Sequence, residues 1–494
     1  MVISYIENTT QTKLEEMTWN KLLHANLSTK VPFLLLLTHH DKPIFCEKIV
    51  RYIPKKRLVM FGTWNEQPVV IKLFYDSRHA KRHYEQELSG VEALLTSGVP
   101  TPRVLIYDMI FKKRAYLLVF EEMIGAKNLE DLWQEKSSPE ELISVMHAVT
   151  IELATQHVLG IMQHDLHFKN FLLKGNQIYT LDGASIENFH ELLSKKVSLD
   201  HLALFFSQLG VGTESLQQNL FQIYAKARGW LVKRADTQFL YASIKKWNEE
   251  RKKKYQEKIQ RNCSAFARVS KLTSVAMYDR HYNSPTFKNF LSHPESAFAH
   301  TQLDVLKAGR SSTVVKINID GKAVVIKRYN IKNAWHWLRR TFRRTRAAES
   351  WKLANTLRLF GISTPKPIAY VEKHFLGLKN RSYFVMEYIN GLNLFDYFSE
   401  YHKGDAHFEK IASRVVTLIK NLAKMKLSHG DLKATNILIE NDQPVLLDLD
   451  GMKEHKSQSK ANRVCKKEMK RFLKNWKKQP EVKELFEKLI YTSH

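Results

Sequence analysis

Apolar and polar positions along this 494-residue chain fall into a repeating order of short strand-like runs and longer helical stretches. Residues 69–74 and 323–327 are β-branched runs, which predicts buried strands ending on or just beyond Lys72 and Lys327. Each is followed by helix-period sequence, residues 80–97 and 345–360, closed by Gly98 or Gly361 with a proline soon after. Farther along, residues 171–173 and 178–181 flank Gly175 and Asn176, while 437–439 and 445–447 flank Asn441 and Asp442. Each set predicts a small hairpin. Residues 245–261 mix Lys, Arg, Glu and Gln with Trp247, Tyr255 and Ile259, the pattern of a basic helix closing the first half. From there to about Asp304, Pro285 and Pro294 interrupt any sustained period, which predicts a structured connection. The apolar run at 31–37 contains Pro32 and is far too short to cross a bilayer, so it predicts a buried strand.

The two halves also match residue by residue. The first carries Lys72, GVPTP from Gly98, LLVFE from Leu117, HDLHFKN from His164 and LDG from Leu181. The second carries Lys327, GISTP from Gly361, YFVME from Tyr383, HGDLKATN from His429 and LDL from Leu447. The lysine precedes the first aspartate by 93 residues in one half and 104 in the other. Asp165 to Asn170 and Asp431 to Asn436 are both 5 apart, and Asp182 and Asp448 each follow 12 later. An ordered double match of this kind is the signature of an internal repeat.

Composition narrows the class. With 44% apolar residues the chain can build sizeable cores, which excludes a disordered or fibrous protein. Three well-separated cysteines, Cys46, Cys263 and Cys465, have neither metal-ligand spacing nor the density of a disulfide framework, as suits a reducing cytosol. The first twenty residues lack a basic region followed by an apolar one, so no cleaved signal peptide is expected. The net charge of +27 points to a polyanionic partner: nucleic acid, an anionic membrane face or a phosphorylated glycolipid. Nucleic acid is not expected, because no zinc spacing or aromatic RNA-binding motif accompanies the charge.

These residues suit phosphoryl transfer from ATP, where catalysis is mainly positioning and electrostatics. Lys72 and Lys327 would hold the nonterminal phosphates, each steadied by a helical glutamate, Glu87 (or Glu85) and Glu349. Glu87 lies 11 residues before Gly98, whereas Glu349 lies 12 before Gly361. Asn170 with Asp182, and Asn436 with Asp448, offer the amide and carboxylate oxygens that suit Mg²⁺, with Mn²⁺ as an alternative. Asp165 and Asp431 would orient the attacking hydroxyl, and Lys433 would stabilise the transferred group where the first half has His167. Glu121 and Glu387 sit in hinge-like segments whose backbone would meet adenine. Gly309, Ser311 and Ser312 supply a plausible phosphate cradle; the first half offers only a hairpin around Gly62. His164 and His429 read as structural supports of the catalytic loops.

The catalytic segments resemble those of protein kinases, with HGDLKATN standing where the HRD-type loop stands. More specifically, HDLHFKN, GVPTP, GISTP and VVIKRYN resemble the bacterial lipopolysaccharide core kinases, which phosphorylate heptose or 3-deoxy-manno-octulosonic acid sugars. The resemblance covers about residues 45–260 and 303–455. It implies an α+β chain of two tandem protein-kinase-like bilobal domains, each with a small β-rich N-lobe and a large helical C-lobe. The expected boundaries are 1–44 for an N-terminal extension, 45–263 and 303–494 for the two domains, and 264–302 for their connection.

It also implies an ATP-dependent kinase for a core sugar hydroxyl, cytoplasmic and peripheral to the inner membrane. Lipopolysaccharide core glycolipid and the anionic inner-membrane surface are the expected partners. The alternatives are a Ser/Thr protein kinase, suggested by Lys433, or one active module beside a pseudokinase that docks substrate. Departures from the protein-kinase pattern are the missing glycine-rich loop, Asp182-Gly183, and Asp448-Leu449-Asp450-Gly451 in place of DFG. Two basic stretches invite contact with anionic headgroups: residues 335–346, with Trp335, Trp337 and Phe342 among five arginines, and the tail from Gly451, with 13 Lys/Arg against 5 Asp/Glu.

Overall fold

The computed structural model describes residues 14–25, 29–53, 56–75, 78–134, 139–299, 304–330, 343–376 and 378–492. The arginine and tryptophan segment at 335–342 lies outside the described residues. The chain is mixed α+β and divides into two compact units, Met1–Gln208 with Ser215–Lys245, and Leu209–Glu214 with Lys246–His494. The division falls within the helix Arg234–Lys258, which starts earlier than the basic stretch predicted for it.

In the first unit, seven described strands form one sheet in the order Glu15–Glu16, Phe33–Leu35, Ile44–Ile53, Arg57–Trp64, Gln67–Phe74, Ala115–Glu121 and Val104–Ile110. All neighbours are antiparallel except the first pair. Strand alternation sets the faces: Val69, Ile71 and Leu73 enter a core with Leu58, Met60, Leu117 and Val119, which turns Lys72 to the opposite side. The helix Ala80–Thr96 covers that side. Its Gly90 lies against Gly183 so closely that a Cβ at Gly90 would stand 1.8 Å from the Gly183 carbonyl oxygen. Only glycine permits this backbone contact.

The second unit repeats the plan with seven antiparallel described strands: Phe266–Lys271, Ser274–Asp279, Pro367–Phe375, Leu378–Glu387, Lys322–Tyr329, Ser312–Ile319 and Asp304–Ala308. Its first two strands come from the stretch whose sequence lacks a clear period. Val324 and Ile326 pack with Val315, Ile368 and Val385, and so Lys327 again faces away from that core. The helix Arg346–Leu359 begins at Thr345, whose hydroxyl accepts from the Ala348 N–H.

Helices follow each sheet. In the second unit, Ala406–Lys424 places Ile411, Val415, Ile419 and Leu422 on one face, packed with Phe472, Trp476 and Phe486 of the tail. Its N-terminus is closed by Asp405, whose carboxylate accepts from the His407 and Phe408 N–H groups. Asp405→Ala should cost about 1 kcal/mol, read as a lower denaturation midpoint at unchanged slope. Among the described residues, no helix is long and apolar enough to cross a membrane.

Candidate active site

The second unit holds a cavity of about 390 Å³ between its sheet and the segments that follow. Lys327, Asp448 and Asn436 line it, together with Lys307, Ser350, Lys433, Asp450 and the strand end Met386 to Ile389. Lys327 Nζ lies 2.6 Å from Asp448 Oδ1 and 2.8 Å from Asp450 Oδ2, and its side chain is 8% exposed. Lys307 reaches Asp448 Oδ2 at 3.8 Å. Burial opposes ionisation of Asp448, but Lys327, then Lys307 and His429, hold its carboxyl below the ordinary carboxylate range. It is therefore an anion at neutral pH.

The catalytic-type loop is fixed from beneath. Asn436 donates from Nδ2 to the Asp431 carbonyl at 2.9 Å, and the Leu447 N–H donates to the Asn436 carbonyl at 2.8 Å. His429 is buried with Nε2 2.8 Å from the Leu447 carbonyl, while Glu468 accepts from the His429 and Gly430 N–H groups. Lys433 Nζ is ion-paired with Asp431 Oδ2 at 3.0 Å; Lys433 lines the cavity, whereas Asp431 stands behind it and is not part of the lining. Asp448 is in the left-handed backbone region at φ 55°, a conformation a non-glycine residue keeps only when its surroundings hold it.

The first unit repeats this geometry. Asn170 donates to the Asp165 carbonyl at 2.7 Å, Leu181 N–H donates to the Asn170 carbonyl at 2.8 Å, and Asp182 has φ 70°. His167 Nε2 stands 3.0 Å from Asp165 Oδ1, where the second unit has Lys433. That hydrogen bond leads the effects that lower the Asp165 carboxyl from its usual range. The buried support equivalent to His429 is Gln163, whose Nε2 donates to the Leu181 carbonyl at 2.7 Å. His164 instead points outward to Glu187, 2.6 Å away. The loop support expected of His164 thus belongs to its neighbour Gln163, which stands two residues before Asp165 as His429 stands two before Asp431.

Lys72 pairs with buried Glu87, which also accepts from the Gly183 N–H at 3.2 Å. Glu85 faces Lys81 on the helix surface. The matching pair in the second unit is not formed: Glu349 is turned outward to Arg344 at 3.7 Å. The position eleven before Gly361, equivalent to Glu87, is Ser350, whose side chain is too short to reach the lysine. Its Oγ hydrogen bonds Asp450 at 3.2 Å, and Asp450 supplies the carboxylate instead, accepting also from Tyr329 at 2.7 Å. Leucines at 353 and 449 replace Gly90 and Gly183, so the close backbone contact that lets Glu87 bridge both groups has no counterpart. Asp450→Ala should weaken ATP binding more than about tenfold by calorimetry, and adding Ser350→Glu should recover part of the loss. No recovery would show that the carboxylates are not interchangeable.

Other predicted residues fall differently. Gly309, Ser311 and Ser312 form a tight turn, with Gly309 N–H donating to the Ser312 carbonyl and Asn330 donating to the Gly309 carbonyl. None of the three lines the cavity; Leu306, Lys307 and Val314 on the flanking strands do. The Glu121 side chain holds Arg103 by contacts of 2.9 to 3.1 Å, and its N–H donates to the Arg103 carbonyl. The Glu387 N–H donates to the Lys366 carbonyl, leaving its carbonyl and the following turn at the cavity wall. Lys307 was legible only through pairing: it stands opposite Val314, which stands opposite Lys327.

Asp448 and Asn436 fit a divalent cation of the Mg²⁺ type, since both offer hard oxygen atoms at one cavity wall. Among the described residues no cluster of three or more His, Cys, Asp or Glu side chains could hold an ion, so phosphate and water oxygens would complete the shell.

The model of the Lipopolysaccharide kinase (Kdo/WaaP) family matches residues 69–186 and 296–492. The chain belongs to this family. The two matched segments contain both sets of Lys, Asp, Asn and Asp described above. Shorter similarities reach the serine/threonine-protein kinase RAD53 of Saccharomyces cerevisiae, 41% identical over 66 residues, which is 13% of this chain and 8% of that protein. The serine/threonine-protein kinase AtPK1/AtPK6 of Arabidopsis thaliana is 34% identical over 98 residues, 19% of this chain and 20% of that kinase. The chain thus spans a fifth or less of the length of these curated relatives.

Proposed function

We propose that the chain is an ATP-dependent phosphotransferase that phosphorylates a sugar hydroxyl of the lipopolysaccharide core, with its second unit as the catalytic one. The observation that carries this reading is the convergence of Lys327, Asn436, Asp448 and Lys433 on one cavity whose wall ends in the strand turn Glu387 to Ile389. Adenine would meet the Glu387 carbonyl and the Ile389 N–H there. Lys327, steadied by Asp450, would hold the nonterminal phosphates, and Lys307 would add a second positive charge. Mg²⁺ or Mn²⁺ bound by Asn436 and Asp448 would supply charge neutralisation between phosphates. Asp431 would accept a hydrogen bond from the acceptor hydroxyl and align it, and Lys433 would stabilise the charge on the moving group.

The family match supports a lipopolysaccharide-related acceptor. The charge of +27 supports work at the anionic cytosolic face of the inner membrane. The paired sheets and paired loops support two tandem kinase-like domains. Because Glu15–Glu16 and Phe33–Leu35 pair into the first sheet and Phe266–Lys271 and Ser274–Asp279 into the second, the domains would take in residues before 45 and before 303, which the sequence had assigned to an extension and a connection. The Asp431-Leu432-Lys433 loop and the short kinase similarities favour a second reading, protein as the acceptor. Phosphate analysis of core glycolipid from a strain lacking the chain separates the two. Loss of core phosphate, restored by the wild-type chain and not by Asp431→Asn, supports the glycolipid reading; unchanged core phosphate refutes it.

A further inference from the structure

The two units differ most at the place where the metal-binding carboxylate stands. In the sheet register Arg57 lies opposite Phe74, and its counterpart Ser312 lies opposite Tyr329. The first unit therefore carries a guanidinium where the second carries a hydroxyl. Arg57 Nη1 is 3.9 Å from Asp182 Oδ1 and 3.9 Å from Glu87 Oε2, and Lys72 Nζ is 3.8 Å from the same Asp182 oxygen. Arg51 adds a third cation. Desolvation and then Arg57 lower its guanidinium, while Asp182, Asp165 and Glu87 act on it in the opposite sense.

Arg57 is the cation without a counterpart in the second unit. Lys72 and Lys327 are equivalents, and so are Arg51 and Lys307, each opposite a valine that stands opposite the strand lysine. Both sites therefore carry a strand lysine and one further cation, although Lys327 stands nearer its carboxylate (2.6 Å) than Lys72 does (3.8 Å), Lys72 being held by Glu87. Arg57 remains, and its side chain is only 16% exposed, whereas Lys307, the second cation on Asp448, is 57% exposed and can swing into water. A Mg²⁺ ion on Asp182 would sit about 2 Å from that carboxylate. It would then face a partly buried guanidinium that cannot lose its proton. The pair Asn170 and Asp182 thus does not fit a divalent ion as Asn436 and Asp448 do.

A guanidinium is itself a strong phosphate ligand, offering several N–H donors in a planar fork. We propose that the first unit takes a nucleoside di- or triphosphate without a divalent cation, with Arg57 supplying the charge that a metal supplies elsewhere. Arg57, Lys72 and Arg51 then face the phosphates from one hairpin and its neighbouring strand. A nucleotide held this way is bound and not turned over, since nothing bridges its terminal phosphates to the carboxylate. This rests on the reading of the repeated lysine sites as nucleotide sites.

The test measures ADP binding to the full chain by calorimetry, in Mg²⁺ and in excess EDTA, for wild type, Asp448→Asn, and Asp448→Asn combined with Arg57→Ser or Arg57→Lys. Arg57→Ser installs the residue the second unit already carries, and melting temperature checks folding. The expected result is a Mg²⁺-dependent site lost in Asp448→Asn and a second site that persists in EDTA. Arg57→Ser should weaken the EDTA-resistant site more than about tenfold, and Arg57→Lys should weaken it less. If the Mg²⁺-dependent site is present but nothing binds in EDTA, or if Arg57→Ser leaves EDTA binding unchanged in a folded protein, the inference is overturned. If wild type binds no ADP in either condition, the nucleotide reading itself fails.

Discussion

Asp431→Asn should lower phosphoryl transfer by about a hundred- to ten-thousandfold, while Asp165→Asn should leave most of the activity in place. The asymmetry follows from the two sites. In the second unit, Asp431 is ion-paired with Lys433, which lines a cavity together with the oxygen-bearing pair Asn436 and Asp448. In the first, the matching carboxylate Asp165 is hydrogen bonded to His167, and Asp182 is faced by Arg57 and Lys72. Asn retains the shape of Asp431, and the Asn436 contact to the Asp431 backbone carbonyl does not depend on the side chain. The variant should therefore melt near wild type. Equal losses from both substitutions would mean that both units turn over, and a loss confined to Asp165→Asn would reverse the assignment.

Lys327→Met should have the second large effect, on stability as well as on nucleotide binding. Lys327 is the shared counter-charge of Asp448 and Asp450, and removing it leaves two adjacent carboxylates facing each other with one cation, Lys307, at the edge. Breaking a fully buried pair costs roughly 3–5 kcal/mol; these carboxylates retain some contact with water, so about 2–3 kcal/mol is expected at neutral pH. The pH dependence carries a sign. The folded carboxyl of Asp448 is lowered, so its contribution is present above the unfolded value of about 3.9 and is lost as pH falls through the lower folded value. The stability gap between wild type and Lys327→Met should therefore be open at pH 7 and narrow on acidification below about pH 4, as denaturant titrations would show. A gap independent of pH would mean that the cost is lost packing rather than lost charge pairing.

Much of this was legible in the chain because strands and hairpins declare themselves by alternation. The run around Lys72 buries every second residue, and although Val324 to Lys327 are all buried, the side-chain alternation of both strands turns the lysines to the side where Asp182 and Asp448 stand. The five- and twelve-residue spacings in the two halves fixed the loop and hairpin that carry Asp165, Asn170, Asp431 and Asn436. Partners set by tertiary contact were not legible. Ser350 for Glu349 is a matter of one residue around a helix, and the carboxylate that replaces Glu87 comes from Asp450, a hundred residues away in sequence from Ser350. Arg57 carried no motif at all. Its meaning appears only when sheet pairing sets it against Ser312. The strands Phe266–Lys271 and Ser274–Asp279 were hidden for a related reason: their place at the sheet edge rests on pairing with Pro367–Phe375 far along the chain.

ATP-dependent transfer to a core sugar by the second unit is read by incubating the purified full chain with γ-labelled ATP, Mg²⁺ and core glycolipid stripped of phosphate, with wild type and Asp431→Asn side by side. Labelled glycolipid formed by wild type and lost in Asp431→Asn is the predicted result. No label on the glycolipid while added protein substrates are labelled, or undiminished glycolipid labelling by Asp431→Asn, would contradict it.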